Sequence, residues 1–177
     1  MMIALIRHAP TPGNLKKRYI GVTDESIISG IKLDKKYPHA DIVISSPLKR
    51  CLETAELIYP NHEIIIYDGL SETNFGEFEN RSYEELKNEP SYIKWLETGG
   101  RSPFPGGEGI EEFTERSVKA YNEAVERFYG KRISFVVHGG TIMAVMQSLF
   151  GGNFYDYHTE NLGGFLIESA DEKYSVI

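Results

Sequence analysis

The chain has 177 residues, enough for one domain with a sizeable core and too few for two ordinary ones, so a single domain over residues 1–177 is expected. A composition of 41% hydrophobic, 25% charged and 12% aromatic residues excludes wholesale disorder and a fibrous repeat. With 19 Lys+Arg against 26 Asp+Glu the net charge is −7, which argues against nucleic acid or an anionic membrane as partners and requires any phosphate site to be a local cationic pocket in an acidic shell.

Residues 1–6 (MMIALI) open with strand character. They lack the basic start, longer apolar run and small-residue cleavage site of a signal peptide. No run reaches the roughly 18 to 20 apolar residues of a membrane span. Cys51, the sole cysteine, permits no internal disulfide and suits a reducing compartment; the expectation is a cytoplasmic protein. A weak helical pattern covers residues 30–37, and residues 41–45 (DIVIS) predict a second strand. Ser46-Pro47 then reads as a helix start, with Ser46 as N-cap and Pro47 in the first helical position. Leu48, Cys51, Leu52, Ala55 and Ile58 share one face of that helix. A third strand is predicted at 63–67 (EIIIY), and a helix at 82–98 broken at Pro90. Residues 99–109 (GGRSPFPGGEG) predict a long loop of the kind that lines sites. The longest helix is expected over 110–128, where Ile110, Phe113, Ser117, Tyr121, Ala124 and Phe128 recur at steps of three and four, with Gly130 just past its end. A strand at 133–137 (ISFVV), a mostly buried helix at 141–149 and strands at 164–168 and 174–177 complete the pattern. Alternating strands and helices predict an α/β fold, a three-layer α/β/α sandwich with a mostly parallel sheet.

The chemistry collects where strands end. Arg7-His8 follows the first, Ser46 to Arg50 the second, and His138-Gly139-Gly140-Thr141 the fourth. Open α/β sheets bind ligands outside the carboxyl ends of their strands, so two histidines and two arginines from distant segments converge on one edge. Arginine offers phosphate a planar fork of donors, and helix N-termini offer free backbone N–H groups. A neutral imidazole can attack phosphorus and carry the phosphoryl group covalently.

The stretch from Arg7-His8 through Thr11 to Asn14 resembles the signature of the histidine phosphatase superfamily, the phosphoglycerate-mutase-like fold. Four further blocks are similar to that family in order: residues 45–55, the acid-bearing block 70–80, Pro105-Gly106-Gly107-Glu108, and residues 137–141. The resemblance implies His8 as nucleophile and Glu72 as the acid that protonates the leaving oxygen. It implies Arg7, Asn14, Arg50 and His138 as holders of the phosphoryl group, with no metal and no organic cofactor. Glu77 is the alternative proton donor within the acid block. Residues 19–24, with Gly21, Thr23 and Asp24, are similar to a stretch in alpha-ribazole phosphatases, which implies a small-molecule phosphate ester of cobalamin nucleotide-loop assembly as substrate. Broad-specificity phosphatases share most of the blocks.

The chain departs from the family pattern at Ala9, where Gly is usual, at Ser26-Ile27, and at Phe78 and Asn80, where Trp and Gly are usual. Ala9 is acceptable if its φ is negative, and Asn80 tolerates a left-handed turn. Cys51 reads as a small buried hydrophobe. His39, His62 and His158 read as surface or structural, and Tyr155, Tyr157 and Trp95 as packing residues, with a place in the wall of a substrate pocket as the alternative. The absence of Gly-x-Ser-x-Gly and of a Gly-x-x-x-x-Gly-Lys-Ser/Thr loop argues against a serine hydrolase and a P-loop nucleotidase. A mutase would be longer, and a non-catalytic binding module would have lost one of the reactive residues. No feature fixes the oligomeric state.

Overall fold

Every side chain from Ile3 to Ile6 is buried, yet in a strand successive side chains face opposite sides, so this segment needs apolar cover on both. The computed structural model, which describes residues 1–168 and 173–177, supplies that cover. Strand β1 (Met2–Arg7) lies inside a six-stranded sheet with β2 (Ile42–Ser45), β3 (Ile64–Ile66), β4 (Ile133–Val137), β5 (Gly164–Glu168) and β6 (Lys173–Val176), in the order β3-β2-β4-β1-β5-β6. The pairs β1–β4, β2–β4 and β2–β3 are parallel, whereas β5 and β6 are added antiparallel. The mixed, mostly parallel sheet with helices is the phosphoglycerate-mutase-like fold expected from the sequence.

Among the described residues six α-helices accompany it: α1 (Pro12–Leu15), α2 (Lys49–Ile58), α3 (Tyr83–Leu86), α4 (Pro90–Glu97), α5 (Ile110–Arg127) and α6 (Gly139–Phe150). On one face Ile3, Leu5, Ile133, Phe135 and Val137 pack with Ala120, Tyr121 and Ala124 of α5 and Ile142, Val145 and Met146 of α6. On the other, Ala4, Ile6, Val43 and Val136 pack with Cys51 and Ala55 of α2. A third cluster stands apart from the sheet, where Phe78, Leu86, Tyr92 and Trp95 pack with Tyr19, Phe75 and Phe104. Among the described residues no helix is long and apolar enough to cross a membrane.

Three local expectations are corrected. Residues 30–37 are not helical; half-buried and exposed positions alternate from 31 to 37, the period of extended chain. Lys35 Nζ and Tyr37 Oη pin that segment by donating to the carbonyls of Ile177 and Leu162. Helix α2 begins at Lys49 rather than Pro47, and Asp24 Oδ1 caps it from a distant loop by accepting from Lys49 N at 2.8 Å. Helix α6 begins at Gly139, two residues before the predicted Thr141. The break at Pro90 stands, with α3 ending at Leu86 and α4 opening on Pro90. Ala9 is absent from the positive-φ residues, and Asn80 has φ +56°, as its side chain permits.

Candidate active site

Strand register builds the site. Arg7 pairs with Val137, so His8 and His138 each stand one residue past adjacent strand ends. His8 N donates to Val137 O at 2.9 Å, and Ser46, one residue past β2, donates its N–H to Val136 O. The two imidazole rings lie 5.3 Å apart, centroid to centroid. Both histidines are buried, His8 at 4% exposure.

His8 Nδ1 lies 2.8 Å from Ala9 O. A carbonyl only accepts, so Nδ1 carries the proton and Nε2 keeps its lone pair. Burial lowers the His8 pKa to about 3, helped by the Arg50 charge and, to a lesser degree, that of Arg7. The ring is therefore neutral at neutral pH, with its basic nitrogen bare. His138 is likewise held well below the usual imidazole range, first by burial and then by Arg50. Arg50 Nε donates to His138 Nδ1 at 3.3 Å, which places the His138 proton on Nε2, 2.7 Å from Ser46 Oγ.

Arg50 is fully buried. Besides His138 its guanidinium donates to the carbonyls of Ile20, Gly21 and Thr23. Those four bonds fix its charge beside the two rings and leave one of the five guanidinium N–H groups over. The loop that supplies the carbonyls is gripped from behind by Glu79, whose Oε1 accepts from Gly21 N and Thr23 N at 2.8 Å each. Arg7 Nη1 donates to Thr159 O at 2.6 Å, whereas its buried Nε has no hydrogen-bond partner among the described residues. An unpartnered buried donor on a charged group is costly, and an incoming anion would relieve it.

Glu72, 9% exposed, accepts from Thr73 N at 2.9 Å through Oε1 and from Gly140 N at 3.1 Å through Oε2. Glycine at 140 leaves room for that carboxyl, since a β-carbon there would meet Glu72 Oε1 and displace it. Arg7 and Glu72 line a cavity of about 320 Å³ with Gly139 and Gly140, and aromatic side chains of Tyr19, Phe75, Trp95, Phe104, Phe154 and Tyr155 form much of its wall.

The structure brings Arg7, His8, Arg50, Glu72 and His138 close to one another. Asn14 sits one step away. Its Oδ1 accepts from Thr11 N in the cap of α1 and from Asn161 Nδ2 at 3.3 Å, and Asn161 Nδ2 also donates to His8 O. Glu77 is exposed and does not line the cavity. Cys51 is buried, and burial raises its thiol pKa.

Sequence reading missed several contributors. Ser46, taken for a helix cap, instead faces His138, and Asn161 supports the His8 backbone with no motif around it. His158, taken for a surface or structural residue, lines the cavity. Trp95 and Tyr155 line it too, the alternative to packing for both, and Trp95 also packs in the third core cluster, whereas Tyr157 is buried and donates to Gly151 O. The Gly/Pro-rich composition of residues 99–109 did give a signal, and Phe104 from that loop lines the cavity.

Residues 3–175 match the profile of the histidine phosphatase superfamily (branch 1), and the chain belongs to that family. It is 28% identical to phosphoserine phosphatase 1 of Hydrogenobacter thermophilus, over 99% of this chain and 89% of that protein. It is also 28% identical to the phosphatase PhoE of Bacillus subtilis, over 98% and 91% of the two chains. The solved alpha-ribazole phosphatase of Shigella flexneri superposes with a TM-score of 0.82 at 21% identity, covering 100% of this chain and 95% of that one, which shows a shared fold.

Proposed function

We propose that this protein is a phosphomonoesterase working through a phosphohistidine on His8. The reading rests on the state of His8: a buried neutral ring with Nδ1 tied to Ala9 O and a bare Nε2 beside two arginines. The Nε2 lone pair forms a bond to phosphorus as the ester P–O bond breaks, and Glu72 gives its proton to the departing alcohol. Water then attacks the phosphohistidine, with Glu72 taking the proton, which frees His8 and inorganic phosphate. Arg7, through its free Nε, and Arg50, through its fixed charge, stabilise the charge spread over the phosphoryl oxygens. His138 and Asn14 complete the phosphate cradle. Glu72 is preferred to Glu77 as proton donor because it is buried and lines the cavity. The mechanism needs no metal or organic cofactor.

For the substrate we favour alpha-ribazole 5'-phosphate, the ester of cobalamin nucleotide-loop assembly. The aromatic wall suits a planar apolar base, and Arg7 is the one permanent cation among the lining residues. A phosphoserine carboxylate would compete with the phosphate for it.

The test compares kcat/KM for alpha-ribazole phosphate, phosphoserine, 3-phosphoglycerate and p-nitrophenyl phosphate in chelating buffer, with acid-labile phosphohistidine trapped from the last. A preference of about tenfold or more for alpha-ribazole phosphate, the discrimination a well-filled apolar pocket gives, supports the whole reading. Similar rates on all four keep the chemistry and make the protein a broad-specificity phosphatase. Absence of label at His8 rejects the nucleophile.

A further inference from the structure

The segment that carries Glu72 has no regular structure from 71 to 75, so no helix or strand satisfies its backbone or fixes its place. Side chains from elsewhere do so, and one of them takes three carbonyls. Arg116, on α5, donates from Nη1 to Gly69 O at 2.9 Å and to Ser71 O at 2.7 Å, and from Nη2 to Glu72 O at 3.0 Å. Its remaining N–H groups meet Glu108 as a fork, Nε to Oε1 at 2.6 Å and Nη2 to Oε2 at 2.8 Å. All five guanidinium donors are therefore matched, an arrangement that a lysine ammonium with three donors cannot reproduce.

Glu108 grips the same segment on the far side of Glu72. Its N–H donates to Asn74 O at 2.9 Å, and its Oε2 accepts from Asn74 N at 3.4 Å. Behind the fork, the Phe113 ring lies 4.9 Å from Arg116 Cζ, and it also packs close to Gly140, whose N–H meets the Glu72 carboxyl. The Glu108 side chain is 11% exposed and that of Arg116 29%, so the pair is shielded more than an ordinary surface bridge.

We infer that Arg116, oriented by Glu108, is a positioning residue for proton transfer: it fixes the backbone on both sides of Glu72 and so holds the carboxyl at the leaving oxygen. Neither side chain lines the cavity that Arg7 and Glu72 share. The inference rests on the proposed role of Glu72 as proton donor.

That role gives a signature that a general loss of stability would not. Protonation matters for poor leaving groups and little for p-nitrophenolate, so a displaced Glu72 should selectively slow alkyl esters. We would measure kcat and KM for p-nitrophenyl phosphate and glycerol phosphate in the wild type, Glu72→Gln, Arg116→Lys, Glu108→Gln and the Arg116→Lys/Glu72→Gln double variant, each checked for cooperative unfolding. Expected for Arg116→Lys is a fall in kcat of about 10- to 100-fold on glycerol phosphate, the scale of a misplaced catalytic group, and under about threefold on p-nitrophenyl phosphate, with KM little changed. Glu108→Gln, which keeps an acceptor for Arg116 and leaves the backbone contacts intact, should show the same selectivity in milder form and serves if Arg116→Lys fails to fold. In the Glu72→Gln background the Arg116 substitution should add almost nothing.

Equal losses on both esters, or losses that multiply in the double variant, would overturn the positioning role while leaving the Glu72 assignment intact. No leaving-group selectivity in Glu72→Gln itself would overturn the assignment and this inference together.

Discussion

At the scale of single residues, the reactive imidazole is defined by what surrounds it. The Arg7-His8 dipeptide marks the proposed nucleophile in the sequence, but its proton location comes from a carbonyl one residue on and its neutrality from burial and Arg50. A stability consequence follows. Below pH 6.5 the unfolded chain protonates this ring, whereas the folded chain resists until near pH 3. Stability is therefore full above pH 6.5 and falls as pH drops through that window, by about 1.4 kcal/mol per pH unit from this ring. His8→Asn should abolish turnover and flatten that part of the acid limb in urea unfolding at pH 7, 6 and 5. Identical slopes in wild type and variant would mean that His8 is not held neutral. Ser46 and Asn161 were illegible at this scale, because a serine after a strand and an asparagine in a turn have common local uses, and only three-dimensional placement assigns them to His138 and to the His8 carbonyl.

At the scale of elements, long periodic segments were readable and their ends were not. The apolar spacing of α5 fixed it from Ile110 onward, since a face of Phe113, Ser117, Tyr121 and Ala124 can be buried in no other conformation as well. The start of α2 shifted because its cap lies 25 residues upstream in the chain, on Asp24. Local sequence offered Ser46 instead, whose hydroxyl serves His138. Asp24→Ala should destabilise the protein by about 1 kcal/mol through the lost cap, seen as a lower urea midpoint at unchanged m. No change in midpoint would show that Lys49 N–H finds water as readily. The early start of α6 has a similar origin. Two glycines are poor helix formers, so local propensity starts the helix at Thr141; in the fold Gly140 N–H meets the Glu72 carboxyl, which a β-carbon at 140 would crowd.

At the scale of the whole molecule, the net charge of −7 coexists with a local pair of cations, Arg50 buried and Arg7 half-buried, and the cavity beside them draws its wall from segments around residues 19, 75, 95, 104 and 155. Tyr155 is the simplest probe of that wall, being 70% exposed and outside the core clusters. Tyr155→Ala should leave the melting temperature within about 0.5 kcal/mol of wild-type stability, as for surface changes generally. It should raise KM for an ester of an aromatic alcohol about fivefold, the worth of roughly 1 kcal/mol of ring contact, and leave KM for glycerol phosphate unchanged. An equal rise for both would remove Tyr155 from the alcohol-binding wall.

The sequence by itself determined the sheet strands, the buried faces of the long helices and the candidate reactive residues at three strand ends, because hydrophobic period and strand-end position are local properties that survive without coordinates. Tertiary structure alone decided the proton positions on His8 and His138, the use of Arg50 and Arg116 as anchors for backbone carbonyls, and the aromatic wall of the cavity. Each depends on which groups meet across dozens of residues, and burial then gives those meetings their energetic weight by removing the water that would otherwise satisfy either partner.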